Sequence, residues 1–174
     1  MTTQPTPKPR QKALTGATLA LAIAIAGGIV AKYEPARVNP GLAYADKLAN
    51  GKPTACQGHT GPDVVVGVTY SPEQCARWKQ QDLARAAASV NACIFVPLTG
   101  PQGGGLIDGV YNLGPKIVCG STLQRKINAG EPPAAWCPEL RRWVYASGVR
   151  LRGLENRRFD DVLACMGTPM RIKP

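Results

Sequence analysis

The sequence predicts an α+β fold that is mostly helical, with a small N-terminal β-hairpin lobe followed by a larger helical lobe. Asn50-Gly51 is a strong signal for a two-residue hairpin turn, and residues 54–59 could form the second strand of that hairpin. Beyond residue 70 the chain carries repeated helix-start signals and apolar residues at helical spacing. Strands that precede a run of helices are typical of the α+β class.

The first 31 residues differ from the rest of the chain. Residues 1–12 are polar and carry three basic side chains and no acid, whereas residues 13–31 carry no charge. As a helix, the uncharged run would be about 28 Å long, close to the ~30 Å hydrocarbon core of a membrane. Basic residues before it would keep the N-terminus in the cytoplasm, so the remainder would face the periplasm. We therefore predict a basic tail and signal-anchor segment over residues 1–31 and one domain over residues 32–174.

The uncharged run is weakly apolar for a permanent anchor. Its 19 residues include seven Ala, three Gly and two Thr, and only seven Leu, Ile or Val. Such a helix gains little from lipid per residue, so its hold on the membrane would be marginal. Residues 24–26 also fit an A-x-A cleavage site, which leaves a cleaved signal peptide as an alternative. Both interpretations export the domain to a compartment that permits disulfides.

The chain is strongly basic, with a formal net charge of +10. A basic surface attracts polyanions such as nucleic acid, anionic lipid or the bacterial cell wall. The usual signs of nucleic-acid binding are missing, since the cysteines stand singly, there is one His, and no aromatic RNA-binding signature or long Lys/Arg run is present. The charge alone leaves the partner open, but nucleic acid is not expected.

The six cysteines are the next signal. They all lie beyond residue 50 and none forms a CxxC pair; they are Cys56, Cys75, Cys93, Cys119, Cys137 and Cys165. Six cysteines permit 15 pairings, so the sequence alone does not fix their connectivity. With the predicted export, they are expected to form three disulfides.

Ser71 marks the start of the first helix of the exported domain. Its hydroxyl can cap the helix, Pro72 suits the first helical position, and Gln74 completes a capping box. This helix is expected to run to about residue 92. Residues 97–105 are rich in Pro and Gly, so a loop is expected there.

Further helices are expected in the C-terminal half. Residues 106–113 are apolar enough for a buried helix, and Ser121 can cap another helix that ends near Gly130. Apolar residues at helical spacing predict a helix over residues 133–147, and the last helix is expected at about residues 154–166.

Five blocks of sequence, in order, carry a resemblance to a known family. They read CQGHTG from residue 56, VYNLG from residue 110, STLQRKINAG from residue 121, RRWVYASG from residue 141 and GLENRR from residue 153. Together they resemble the phage-type lysozymes of glycoside hydrolase family 24, in the branch of lambdoid endolysins, over roughly residues 32–168. The weakly apolar N-terminus resembles the signal-anchor-release endolysins of that family. The resemblance implies a lysozyme-like fold.

The resemblance also implies an active site made of a Glu, an Asp and a Thr ahead of the GHTG block. The matching residues are Glu34, Asp46 and Thr54. Eleven residues separate the first pair and seven the second, where the family usually has eight and five. A longer hairpin tip and a loop over residues 38–41 could absorb the excess. Pro35 also follows Glu34 where the family usually has Gly.

The chemistry of glycoside cleavage fits these residue types. A carboxylic acid that stays protonated near neutral pH can protonate the leaving oxygen, and the apolar segment and Tyr33 beside Glu34 would favour that form. Asp46 is the only acid between Glu34 and the GHTG block. The resemblance implies an inverting mechanism in which Asp46 and Thr54 position the attacking water, with no metal and no cofactor. The predicted enzyme is a muramidase that cuts between N-acetylmuramic acid and N-acetylglucosamine in peptidoglycan for host cell lysis.

Other conspicuous residues have structural alternatives. Tyr111 and Asn112 could line the glycan cleft or simply close a core helix. His59 is expected to be structural, because a lone His in a Gly-flanked turn more often bonds backbone or a carboxylate. Trp136 and Trp143 are expected in the core.

The resemblance suggests how the cysteines pair. Related endolysins tend to carry four of the six, which implies the pairs Cys56–Cys75 and Cys137–Cys165 and leaves Cys93–Cys119 as the third. No cysteine lies in residues 1–55. A thiol in the anchor therefore cannot hold the enzyme inactive by disulfide exchange.

The predicted location follows from the anchor. The enzyme would first reside in the host inner membrane, facing the periplasm, and would become soluble in the periplasm after release, as a monomer. The freed residues 13–31 would pack against the domain as a helix and set Glu34 in the cleft.

A different class of function remains open, namely a membrane-anchored, disulfide-stabilised module that binds cell wall or nucleic acid without catalysis. Glu34→Gln distinguishes the two, because only an enzyme would lose activity.

Overall fold

The computed structural model describes residues 11–34, 41–47, 50–146 and 148–168. The α-helices found in these ranges are α1 (Gly16–Tyr33), α2 (Pro72–Cys93), α3 (Gly100–Leu113), α4 (Thr122–Asn128), α5 (Pro133–Trp136) and α6 (Arg152–Cys165). The strands are β1 (Tyr44–Asp46), β2 (Lys52–Ala55), β3 (His59–Thr60), β4 (Tyr145–Ala146) and β5 (Val149–Arg150). Two short 3-10 helices cover Pro115–Ile117 and Cys137–Arg142.

The N-terminal lobe is a three-stranded antiparallel sheet with the order β1-β2-β3. A hairpin at Asn50-Gly51 is confirmed, and both residues have positive φ. The two-residue turn is wrong, because Asp46 pairs with Lys52 and five residues connect them. A single second strand over residues 54–59 is wrong. The chain reverses between β2 and β3 because Cys56 and Gly58 adopt φ of 56° and 91°. The predicted loop over residues 38–41, apart from Gly41, lies outside the described residues, as does Pro35.

The predicted helix starts at Ser71 and Ser121 are confirmed. The Ser71 hydroxyl accepts the backbone N–H of Gln74 at 3.2 Å, and that of Ser121 accepts the N–H of Gln124 at 3.0 Å. The helix expected at about residues 154–166 is present as α6. These elements follow from local capping signals, which act within one turn of the chain.

The loop predicted over residues 97–105 is wrong, because α3 already begins at Gly100. Thr99 and Gln102 form a reciprocal capping box that starts the helix. Glycines disfavour a helix by themselves, but here they let α1 approach. A Cβ at Gly103 would lie 2.7 Å from Leu14, and a Cβ at Gly104 would lie 2.5 Å from Ile25. Packing between α1 and α3 therefore overrides local propensity.

The single helix predicted over residues 133–147 is also wrong. α5 ends at Trp136, and a 3-10 helix and the β4–β5 hairpin follow. Pro138 has no N–H for a further α-helical bond, which explains the early end of α5. Trp136 and Leu140 are buried all the same.

Helix α1 is part of the core of the helical lobe. Ala22, Ala26 and Val30 are completely buried in one apolar cluster with side chains from α2 and α3. Among the described residues, α1 is also the one helix long and apolar enough to cross a membrane, with a mean hydropathy of 1.6. The segment predicted as an anchor therefore contributes to the core in the folded state.

All six cysteines are paired, and the predicted connectivity is confirmed. Cys56 is bonded to Cys75, Cys93 to Cys119, and Cys137 to Cys165. The first of these disulfides joins the turn between β2 and β3 to the start of α2. The disulfide therefore holds this turn against the helical lobe.

Candidate active site

Glu34 lies at a junction of three elements. It is the C-terminal cap of α1, and its backbone N–H donates to the carbonyl of Val30 at 2.8 Å. Its side chain is 32% exposed, and Oε1 accepts a hydrogen bond from Nη1 of Arg157 on α6 at 2.6 Å. Its carbonyl accepts a 3.4 Å hydrogen bond from Nε2 of Gln57, in the turn between β2 and β3. The end of α1 therefore fixes the carboxyl group between the two lobes.

Arg157 also binds a second carboxylate. Its Nε and Nη2 each donate to Asp108 of α3, both at 2.8 Å, so the two side chains form a bidentate pair. Burial alone would lower the pKa of Arg157, but the hydrogen bonds and charge of Asp108, followed by those of Glu34, outweigh burial and raise that pKa above its ordinary value. One buried guanidinium therefore connects α1, α3 and α6.

A second arginine extends this cluster. Nη2 of Arg158 donates to Asp108 at 3.0 Å, and Nε lies 2.8 Å from Oδ2 of Asp161, as an ion pair at angles outside those of a hydrogen bond. Burial, followed by the negative charge of Asp108, raises the pKa of Asp161 well above its ordinary value. These groups belong to α3 and α6 and do not reach solvent.

The last turn of α1 is bound to α6 through Asp160. Its Oδ2 accepts hydrogen bonds from Lys32 Nζ at 2.5 Å and from the Tyr33 hydroxyl at 2.7 Å. Because Glu34 follows directly in the chain, these contacts help to fix the position from which its side chain starts.

Neither Asp108 nor Arg157 was predicted as a site residue. Arg157 stands in the GLENRR block, where it served only to mark the resemblance. Asp108 is the one charged residue of α3. A lone charge in an apolar helix is a usable signal, since a buried carboxylate is expected to have a cationic partner.

Asp46 and Thr54 lie on one face of the sheet. Asp46 pairs with Lys52, and Thr54 pairs with Tyr44 on one side and Thr60 on the other. Residues paired in this way, or two apart along a strand, point to the same side, so Asp46 and Thr54 are diagonal neighbours. Thr54 is 2% exposed, and its hydroxyl donates to the carbonyl of Lys52 at 3.1 Å.

A cavity of about 220 Å³ lies between the sheet, α2 and α3. Gly58 and Thr60 line it from the sheet, Asp82 and Arg85 from α2, and Tyr111 from α3. A Cβ at Gly58 would lie 3.9 Å from Cδ of Glu34, so this glycine adjoins both the cavity and the carboxyl group.

Of the two residues suggested for the glycan cleft, Tyr111 lines the cavity and Asn112 points elsewhere. The Tyr111 hydroxyl donates to the carbonyl of Gln57 at 2.8 Å, and burial, followed by the negative charge of Asp82, raises its pKa. Oδ1 of Asn112 is 3.5 Å from Nη2 of Arg158. Tyr111 therefore connects the cavity to the turn that contacts Glu34.

The predicted structural role of His59 is confirmed. It is buried on the other face of the sheet, Nδ1 lies 2.7 Å from Oδ2 of Asp82, and its ring stacks on Trp78 with centroids 4.3 Å apart. Trp136 is buried in the core, and Trp143 is partly buried against it, as expected.

Comparisons with known proteins agree with this fold. Residues 39–161 match the family model described as Phage lysozyme. A SAR-endolysin of Enterobacteria phage PA-2 is 37% identical over 155 residues, which cover 84% of this chain and 93% of the relative. The solved endolysin from Escherichia coli O157:H7 phage FAHEc1 is 25% identical, with a TM-score of 0.71 over 84% of this chain and 94% of that one.

The fold is also similar to the active form of P1 phage endolysin Lyz, with a TM-score of 0.71 at 19% identity, covering 87% of this chain and 94% of that one. For the secreted inactive form of the same endolysin the TM-score is 0.53 at 18% identity, covering 88% and 96%.

The chain belongs to the phage lysozyme family. It is therefore an enzyme of the glycoside hydrolase class, and the predicted lysozyme-like α+β fold is confirmed. Within the family, the curated relatives that it resembles are SAR-endolysins.

Proposed function

We propose that this lysozyme is an endolysin that hydrolyses the bond between N-acetylmuramic acid and N-acetylglucosamine, with Glu34 as the general acid and Asp46 and Thr54 positioning the attacking water. The observation that carries the proposal is the setting of Glu34. Its carboxyl group is partly exposed, is bonded through one oxygen to Arg157, and adjoins Gly58 at the wall of the cavity. The second carboxyl oxygen remains for proton transfer to the leaving group.

Asp46 and Thr54 would act on the water. A carboxylate can accept a proton from water, and a hydroxyl can orient the same molecule by a hydrogen bond. Their common face of the sheet supports this pairing. Water that attacks opposite the leaving group inverts the configuration at the sugar carbon.

Peptidoglycan is the substrate class of the family, and two features of this chain suit it. A net charge of +10 attracts an anionic cell wall. Tyr111 presents an aromatic surface in the cavity, where it would contact a sugar ring. We propose that the enzyme acts as a monomer.

The SAR-endolysin relatives support a two-stage location. Residues 13–31 would first hold the enzyme in the host inner membrane, facing the periplasm, and would pack into the domain as α1 after release. The length and hydropathy of α1 suit the first stage, and its buried face suits the second. The greater similarity to the active form of P1 phage endolysin Lyz than to its inactive form supports the view that the packed arrangement is the active one.

Glu34→Gln tests the catalytic assignment. The amide cannot donate the proton, so we expect a loss of about a thousandfold or more in the clearing of outer-membrane-permeabilised Gram-negative cells. Glu155→Gln is the matched control, because Glu155 is similarly exposed, at 34%, and also pairs with an arginine, Arg150. Retained clearing by Glu34→Gln would show that Glu34 is not the general acid.

A further inference from the structure

The contact between Glu34 and Arg157 fixes one oxygen of the proposed general acid. Nη1 of Arg157 donates to Oε1 of Glu34 at 2.6 Å, so the direction of that N–H bond helps to set where the carboxyl group points. The arginine is almost completely buried, and a buried guanidinium needs a further partner that satisfies its other donors. That partner also determines how the guanidinium is oriented.

Asp108 is placed to do this. It is completely buried, and each of its oxygens accepts a hydrogen bond from Arg157 on the side away from Glu34. The bidentate contact uses Nε and Nη2 and leaves Nη1 for Glu34. A carboxylate bonded in this way fixes the plane of the guanidinium and hence the direction of its remaining donor.

We propose that Asp108 is a positioning residue for Glu34 that acts through Arg157: it fixes the plane of the guanidinium, and the guanidinium in turn orients the carboxyl group of Glu34. This inference rests on the assignment of Glu34 as the general acid. Packing alone does not require a charged residue in the middle of an apolar helix. The proposed role gives Asp108 a part in the reaction.

Other charged and titratable groups also surround Arg157. The ring of Tyr33 lies 5.8 Å from the guanidinium carbon of Arg157. From α1, α3 and α6 the groups around this cluster are Lys32, Tyr33, Glu34, Asp108, Tyr111, Arg158, Asp160 and Asp161. Asp161 offers the useful contrast, because it is as deeply buried as Asp108 but pairs with Arg158 rather than Arg157.

The test compares Asp108→Asn with Asp161→Asn in the full-length chain, recovered in soluble form. The measurements are kcat and KM on soluble, uncross-linked glycan strands across the pH range. For Asp108→Asn we expect kcat/KM at neutral pH to fall roughly 10- to 100-fold with little change in KM.

Asp161→Asn alters an equally buried carboxyl group and should keep kcat close to that of the wild type. Equal effects of the two variants, or wild-type kcat in Asp108→Asn, would overturn the inference. If circular dichroism shows that Asp108→Asn does not fold, Arg157→Lys replaces it, since an ammonium cannot bond Asp108 through two nitrogens and Glu34 through a third. Arg157→Lys should then lose kcat with KM retained, and wild-type kinetics in that variant would contradict the inference.

Glu34→Gln, measured in parallel, separates the two proposals. If it keeps its activity, the catalytic assignment fails. If it is inactive while Asp108→Asn behaves as the wild type, only the role of Asp108 fails.

Discussion

Helix α1 meets the rest of the domain in two different ways along its length. Over most of the helix, apolar side chains lie on glycines of α3, as where Ile25 covers Gly104. At its C-terminal end, Lys32, Tyr33 and Glu34 are bonded to charged side chains of α6. The first contact depends on shape alone, so the same apolar surface can face lipid or protein. The second contact needs partners from the folded domain and cannot form in a membrane.

The apolar part and the polar end of α1 therefore have different roles. The apolar part determines whether α1 leaves the membrane and packs, because its side chains must fit the glycine surface of α3. The polar end decides where the carboxyl group of Glu34 points once the helix has packed. A substitution in one part should therefore have a different signature from a substitution in the other.

Among substitutions that probe the two parts of α1, the largest effect is expected from Gly104→Leu. A Cβ at this position would already lie 2.5 Å from Cγ2 of Ile25 and 2.8 Å from its Cβ, and these β-branched atoms cannot move away easily. We expect α1 to be displaced and muramidase activity to fall at least about 100-fold, in cells and after detergent extraction alike.

Gly153→Leu provides the control for that substitution. Gly153 is also helical, but no atom lies within 4 Å of its would-be Cβ. This variant should retain its activity in the same turbidity assay. Normal activity in Gly104→Leu would mean that close packing of α1 on α3 is not required.

A smaller effect on lysis is expected from Gly28→Leu, and extraction of the protein from the membrane should reverse it. No atom lies within 4 Å of a Cβ at Gly28, so leucine there leaves the packed state undisturbed while making the segment more apolar. We expect more of the protein to stay in the membrane fraction and lysis to be delayed. Extraction in mild detergent should restore activity, and a persistently inactive extract would show that Gly28 matters for the folded enzyme as well.

Sequence signals were sufficient wherever structure is determined locally. The helix starts at Ser71 and Ser121 and the hairpin at Asn50-Gly51 depend on residues within one turn of the chain. The start of α3 was missed because its glycines favour a helix only when α1 covers them. Residues 133–147 were misassigned because α- and 3-10 helices share much of their apolar spacing, and Pro138 changes one into the other.

The site, like the fold, was predicted only in part, because some of its contacts join residues that are distant in sequence. Glu34 and the disulfide pairs followed from a family resemblance, which carries information gathered over many chains. The partners of Glu34 did not, because Asp108 and Arg157 are 49 residues apart in sequence and meet only through the packing of α3 on α6. The roles of Glu34, Asp46, Thr54, Tyr111 and Asn112 stay predictions.

The smallest effect concerns the pH dependence of stability at the polar end. The pKa of Asp161 is raised in the folded state, so this group stabilises the fold at low pH and loses that contribution as the pH rises through its folded value. From about pH 4 upward, the free energy of unfolding of the wild type should therefore fall relative to that of Asp161→Asn, by up to about 1.4 kcal/mol per pH unit. Urea unfolding at several pH values checks this, and a difference that is constant with pH would contradict it.

The central claim is that one segment serves first as a membrane anchor and then as the core helix that presents Glu34. N-terminal sequencing and intact-mass measurement of the soluble, active periplasmic enzyme test it most directly. We predict that the active protein retains residues 13–31. A chain that begins near Gly27 would show cleavage after Ala26 and would contradict the claim, because an active enzyme would then lack most of α1.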